Sequence, residues 1–238
     1  MIIEDGTLDL TEKGRGPDGQ TISLDRRLYM QFLAYGECTD LPAFREALAE
    51  SGMDAVLYAD LNDPLGIGLL SMSEDPDFFV TTLRDFLSRP PFVSLLPKPE
   101  YTMFGRTYSI GYETDLVGTL IDRPRGRVLD PNWPWVIWYP LRRVKGFEQL
   151  PEAEQKRMLG EHGNIGRIFG KADKATDIRL ACHGLDKNDN DFVVAILSHE
   201  LHAASGVVQA MRKTRQTAEF LESLGPFFVG KVVWQSKI

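Results

Sequence analysis

The sequence predicts an α+β fold built from two ferredoxin-like halves, and three observations carry that expectation. Apolar runs of strand length alternate with helical patterns instead of forming one uniform class. The order strand, helix, strand, strand, helix, strand occurs twice along the 238 residues. A stretch rich in Pro, Gly and Arg separates the two occurrences. Two such units packed sheet to sheet account for strands that are apolar on both faces, such as Trp133 to Tyr139.

Residues 1–25 set Gly6, Gly14, Gly16, Pro17 and Gly19 among charges, and so few apolar side chains cannot offset the cost of ordering. They read as an N-terminal tail or arm. Residues 26–96 form the first half. Leu28 to Tyr35 is a strand ending at Gly36, and a helix follows with Pro42 near its start, Phe44, Ala47 and Leu48 at helical spacing, and Ser51-Gly52 at its end. Strands Ala55 to Leu61 and Gly66 to Met72 flank the turn Asn62-Asp63-Pro64. Asp75-Pro76 starts a second helix whose buried stripe is Phe79, Leu83, Phe86 and Leu87, and Arg89-Pro90-Pro91 stops it.

Residues 97–131 read as a connecting segment holding one strand, Arg106 to Tyr112. Residues 132–238 form the second half. It opens on the strand Trp135 to Tyr139, and Pro151 begins a helix reaching Phe169. Strands Ile178 to Leu185 and Phe192 to Leu197 pair around Asp186-Lys187-Asn188-Asp189-Asn190. One helix with Val207, Val208, Met211 and Ala218 follows, and Phe227 to Trp234 is the last strand.

Lys and Arg total 27 against 34 Asp and Glu, a formal net charge of -7, which argues against nucleic acid as a partner. No run approaches the roughly 18 uncharged apolar residues that insertion across a bilayer needs. The start Met1-Ile2-Ile3-Glu4-Asp5 lacks the charge and apolar core of a secretory signal, so a cytoplasmic location is expected. Cys38 and Cys182 have no short spacing for a metal clip or redox pair and read as buried thiols.

Four histidines can be weighed singly. Ser198-His199-Glu200-Leu201-His202 lacks the two-residue insert of the zinc-protease helix motif and reads as a solvated corner. His183, before Gly184, reads as a turn residue. His162 shares a helix face with Met158, Leu159 and Ile165. Gly163 and Gly166 follow it, each lowering helix propensity by roughly 1 kcal/mol relative to Ala and leaving room for a flat group. A core histidine bonded to a carbonyl and an axial haem ligand are both open readings. In Trp138-Tyr139-Pro140-Leu141-Arg142-Arg143-Val144-Lys145, strand alternation puts Tyr139, Leu141 and Arg143 on one face. That wall is either a carboxylate dock with a phenol beside it or a strand end whose arginines face water.

Further residues carry a resemblance. Tyr139-Pro140 is followed by Leu150-Pro151 and a helix with Met158-Leu159-Gly160-Glu161-His162-Gly163 and Ile165-Gly166-Arg167. Gly184-Leu185-Asp186, Asp191-Phe192-Val193-Val194, Met211-Arg212 and Pro226-Phe227-Phe228-Val229-Gly230 complete the set. Over residues 133 to 234 the chain resembles the chlorite dismutase family, which includes the coprohaem decarboxylases. The resemblance implies that the two halves of one chain form a dimeric α+β barrel. It also implies a homo-oligomer, usually a ring of five, and haem b or coprohaem in the C-terminal half. By the same resemblance His162 is the proximal ligand of the haem iron, Tyr139 the catalytic residue of the decarboxylase branch, and Arg143 a propionate contact. Arg142, Lys145 and Arg179 are further candidates for holding carboxylates.

Two positions depart from the family pattern. Asp177 falls where chlorite-degrading members carry a distal arginine, and Arg179 stands two residues on. A carboxylate there would repel an anionic oxidant. Arg215 falls where a glutamate usually orients the proximal imidazole, with Glu219 one turn later as a substitute. The expected function is a haem- or coprohaem-binding oxidoreductase resembling the peroxide-dependent coprohaem decarboxylases. A haem carrier or sensor of the same fold is the alternative, ahead of a haem peroxidase, a chlorite-degrading enzyme or a haem-free scaffold.

Overall fold

A computed structural model describes residues 2–4 and 7–237. Strands β1 (Ile2–Glu4) and β2 (Thr7–Asp9) form one hairpin, and β3 (Glu12–Arg15) and β4 (Thr21–Leu24) form another. The described residues of this stretch therefore form two hairpins instead of a bare arm. Their anchor is Glu12, whose carboxylate takes Arg106 at 2.7 Å and the backbone N–H of Ser109 at 2.8 Å, while Ile22 and Leu24 pack on the core.

The first half runs β5 (Tyr29–Gly36), α1 (Leu41–Ser51), β6 (Ala55–Asp60) and β7 (Ile67–Ser73), then the short helices α2 (Asp77–Val80) and α3 (Thr82–Leu87). Asp40 caps α1 by accepting the N–H of Ala43, and Gly52 ends it at a φ of 68° that suits glycine. The expected single helix after Asp75 is broken at Thr81, whose φ and ψ of -118° and -89° leave the helical region. Strand β8 (Leu96–Pro97) lies beside β5, and β9 (Met103–Arg106) completes the unit.

The strand expected over Arg106 to Tyr112 is displaced. Pairing with β5 stops at Arg106, and beyond it side chains replace ladder partners: Glu12 binds Ser109, and Glu113 binds the N–H groups of Ile110 and Tyr112. A wide π-type turn over Gly118–Asp122 leads into α4 (Arg123–Val128). Leu116, Leu120, Ile121 and Val128 are buried in the barrel core, so the connecting segment is part of the packing.

The second half runs β10 (Trp135–Arg143), α5 (Glu152–Lys171), β11 (Ala175–Ala181), β12 (Phe192–Ser198), α6 (Leu201–Met211), α7 (Arg215–Glu219), β13 (Leu221–Leu224) and β14 (Phe228–Gln235). Strand β11 begins and ends earlier than expected because its ladder with β12 pairs Ala175 with Ser198 and Ala181 with Phe192. The single helix expected around Met211 is two, separated at Arg212 to Thr214. No helix among the described residues is long and apolar enough to cross a membrane.

Both halves share one spatial order. In the first it is β9-β5-β7-β6 and in the second β14-β10-β12-β11, so in each the fourth strand borders the first, then the third, then the second. Strand β6 pairs with β14, and β11 meets β9 through Ala181 and Arg106, closing eight strands into a barrel with no free edge in the ring. Inside, Trp138, Phe32, Tyr58 and Phe228 are fully buried, with the ring centroid of Phe32 4.7 Å from that of Phe228 and 5.8 Å from that of Trp138.

The β9–β11 seam is narrow and depends on Gly105. A Cβ there would lie 2.8 Å from the Cβ of Leu180 and 3.0 Å from the carbonyl oxygen of Ala181. Since backbone cannot yield cheaply, Gly105→Val is expected to cost about 1–3 kcal/mol. Urea unfolding checks this, and an unchanged midpoint would show that the seam is open.

Candidate functional site

Helices cover the outside of both halves, but not equally. Over the first half, Phe44, Leu48, Phe79, Leu83 and Phe92 fill the space between sheet and helices. Over the second half, α5 buries only Met158 along its 20 residues, and a cavity of about 420 Å³ lies between the sheet and α5, α6 and α7. That volume falls within the range of small-molecule and cofactor sites.

The strand register builds the floor. Tyr139 on β10, Val194 on β12 and Arg179 on β11 stand side by side, and two residues along, Ile137, Ile196 and Asp177 repeat the row. Tyr139 is 6% exposed, with its ring stacked on Phe227 at 4.8 Å. Burial first, then the Asp177 carboxylate, push its phenol above the ordinary tyrosine value, so it is protonated at neutral pH. Asp177 binds Arg179 at 3.0 Å and is the single carboxylate among the described lining residues.

The helix wall carries His162, with Gly163 and Gly166 on the same side. A Cβ at Gly163 would meet nothing within 4 Å, and one at Gly166 would meet Asp177 only at 3.8 Å. Helix and sheet thus approach over an open strip. Burial first, then the charge of Arg179, hold the His162 pKa below the ordinary imidazole value, which keeps a ring lone pair available. Its Nδ1 lies 3.3 Å from Thr214 Oγ1. The glutamate expected to orient the ring does not: Glu219 binds Arg215 at 2.8 Å, and Arg215 also binds Glu154 at 2.6 Å.

Four guanidinium groups, those of Arg123, Arg167, Arg179 and Arg212, line the cavity against the one carboxylate of Asp177. A chain of net charge -7 therefore has a cationic pocket. Gln216 lines it too, 5% exposed, and its Oε1 accepts no hydrogen bond. A buried acceptor without a donor is a group awaiting one.

Of the residues singled out by sequence, Tyr139, His162 and Arg179 come together around this cavity. Arg142, Arg143 and Lys145 do not line it. Arg142 donates to the carbonyls of Asn188 and Asp189, and Lys145 is exposed. Arg143 keeps the sheet face of Tyr139, but its guanidinium lies between the rings of Phe147 and Phe192, at 4.4 and 4.7 Å, and pairs with Glu148. His183, His199 and His202 lie elsewhere: His183 beside Asp191, His199 stacked on Trp133, His202 in solvent. Arg123, Arg212, Thr214 and Gln216 are additions from the structure. Arg212 had a signal, since it follows Met211 on the wall of α6; Arg123 sits in a segment without periodicity.

A family model described as chlorite dismutase matches residues 76–233. A haem-binding protein from Thermus thermophilus superposes with a TM-score of 0.66 at 18% identity, covering 87% of this chain and 91% of its own. Chlorite dismutase from Candidatus Nitrospira defluvii, in complex with imidazole, superposes with a TM-score of 0.68 at 15% identity over 88% of this chain and 92% of its own. No curated protein matches the chain in sequence. At such identities the structural similarity is one of fold.

Proposed function

The chain belongs to the chlorite dismutase family, and from that membership we propose that its second-half cavity binds a haem-type porphyrin, with coprohaem the substrate of a peroxide-dependent decarboxylation. The observation that carries this reading is one cavity holding a neutral imidazole, a buried protonated tyrosine and four arginines. Residues 132–238 are then the haem-binding half.

The residues fit such a group. Among the described residues no three His, Cys, Asp or Glu side chains cluster to hold a bare metal ion, so iron bound by His162 would bring its remaining ligands in a macrocycle. Gly163 and Gly166 leave the helix wall flat. Gln216 Oε1 is free for a ligand or water donor. The lining arginines suit carboxylates through their planar fork, Arg123, Arg167 and Arg212 directly and Arg179 while it also holds Asp177. Arg142, Arg143 and Lys145 are held outside the lining, so Arg123, Arg167 and Arg212 take the role first expected of them. Assembly as a homo-oligomer and a cytoplasmic location belong to the same reading; Leu159 and Ile168 leave apolar surface on α5, at 39% and 57% exposure.

Bound here, the porphyrin iron supplies oxidation by peroxide. Loss of one propionate as carbon dioxide leaves a vinyl group, a proton and two electrons, and peroxide with two protons accepts those electrons to give water. The Tyr139 Oη would be the protein group suited to pass a hydrogen atom, because burial keeps it protonated and the residue lines the cavity. Asp177, paired with Arg179 at 3.0 Å, leaves three of the four cavity arginines to face an anionic ligand.

Coprohaem with hydrogen peroxide, followed by mass spectrometry, is the test. Carbon dioxide loss from the tetrapropionate is expected, and Tyr139→Phe is expected to retain binding while turnover falls about 100-fold or more. An unchanged tetrapropionate would overturn the decarboxylase. Tight binding with that outcome would favour a haem carrier or sensor, a second reading supported by the pairing of Arg179 with Asp177 and by the uncharged partner of His162.

A further inference from the structure

The break between α6 and α7 places one hydroxyl behind His162. Helix α6 ends at Met211, and Thr214, 2% exposed, caps α7. The Thr214 Oγ1 lies 2.7 Å from the carbonyl oxygen of Met211, 3.3 Å from His162 Nδ1, 3.3 Å from Thr217 Oγ1 and 3.5 Å from the N–H of Thr217. A hydroxyl has one proton to give, and a carbonyl can only accept. The closest contact therefore takes that proton, and Oγ1 turns its lone pairs toward the remaining neighbours.

We infer that Thr214 is a positioning residue that fixes the tautomer of His162. The imidazole proton sits on Nδ1 and is donated to Thr214, and the lone pair sits on Nε2, the far edge of the ring. No carboxylate performs this task, because Glu219 and Glu154 are both engaged by Arg215. A neutral acceptor polarises the imidazole less than a carboxylate does, so His162 is a weak electron donor to whatever Lewis acid it meets. The tautomer stands on protein geometry alone; the consequence for iron rests on the porphyrin reading above.

Two measurements keep these apart. In the ligand-free chain, long-range nitrogen–proton NMR with ¹⁵N-labelled histidine is expected to show His162 as the Nδ1–H tautomer at neutral pH. Thr214→Ser, which keeps the hydroxyl and the cap, should preserve that pattern, and Thr214→Val should move the ring toward the Nε2–H form or an average of both. An Nε2–H tautomer in the natural chain, or a Thr214→Val spectrum identical to it, would overturn the proposal. With haem added, the ferrous iron–imidazole stretching band in resonance Raman should shift in Thr214→Val and return in Thr214→Ser. If no haem binds, the porphyrin reading fails while the NMR result still decides the tautomer.

Discussion

Replacing His162 by alanine will remove axial ligation of added haem while leaving the barrel folded. Two properties of the position separate these effects. His162 is only half-buried, on a helix whose one fully buried side chain is Met158, so truncation opens no hole in a packed core. Alanine also raises helix propensity, and the bond lost to Thr214 is a long one at 3.3 Å. Far-ultraviolet circular dichroism and the melting temperature should stay close to those of the natural chain. Haem affinity should fall by more than about 100-fold, since removing even a group behind a metal ligand typically costs 10–100-fold. Imidazole added to the variant should restore a histidine-like Soret band, because the space left is open to the cavity. A native-like Soret spectrum in His162→Ala without imidazole would refute the assignment.

Trp138→Ala will have the largest effect on stability. The indole is fully buried at the centre of the barrel, opposite Ala195 on β12 and Phe228 on β14, with Phe32 stacked 5.8 Å away. Those neighbours come from both halves, so no single element can move in to fill the space. The expected loss is about 3–5 kcal/mol, and for a chain of this size a fall in melting temperature of roughly 10 °C. Thermal and urea unfolding monitored by tryptophan-independent circular dichroism provide the measurement. A loss below about 1 kcal/mol would mean that the two halves do not share this core.

Individual elements show what local pattern can and cannot specify. Strands β5, β6 and β7 and helix α1 fall within a residue or two of where periodicity, Asp40, Pro42 and Gly52 put them, because each signal acts within a few residues. The strand expected at Arg106 to Tyr112 moved to β9 because pairing with β5 ends at Arg106 and carboxylates take backbone N–H groups beyond it, Glu12, distant in sequence, that of Ser109 and Glu113 those of Ile110 and Tyr112. Helix α4 was not expected, since Pro124 and Gly126 hide its pattern, yet Val128 and the turn before it are buried in the core. The connecting segment is ordered by what it covers and not by its own propensity.

The site divides in the same way. Tyr139 and His162 could be found by residue type, spacing and family resemblance, and Arg179 by its alternation with Asp177. Thr214 could not, because its partner His162 is 52 positions away and only the break after α6 brings them together. The exclusion of Arg143 from the cavity lining was equally hidden. Alternation correctly put it on the face of Tyr139, but the rings of Phe147 and Phe192 that hold it come from other elements.

Residues alone were thus enough for the class of fold and the duplication. Barrel closure, the filled outer face of the first half against the open one of the second, and the hydrogen-bond partner of His162 required the folded chain. A strand's period of two names the face of each side chain but not the neighbouring strand. Pairing partners are selected by burial and backbone hydrogen bonding across the whole molecule.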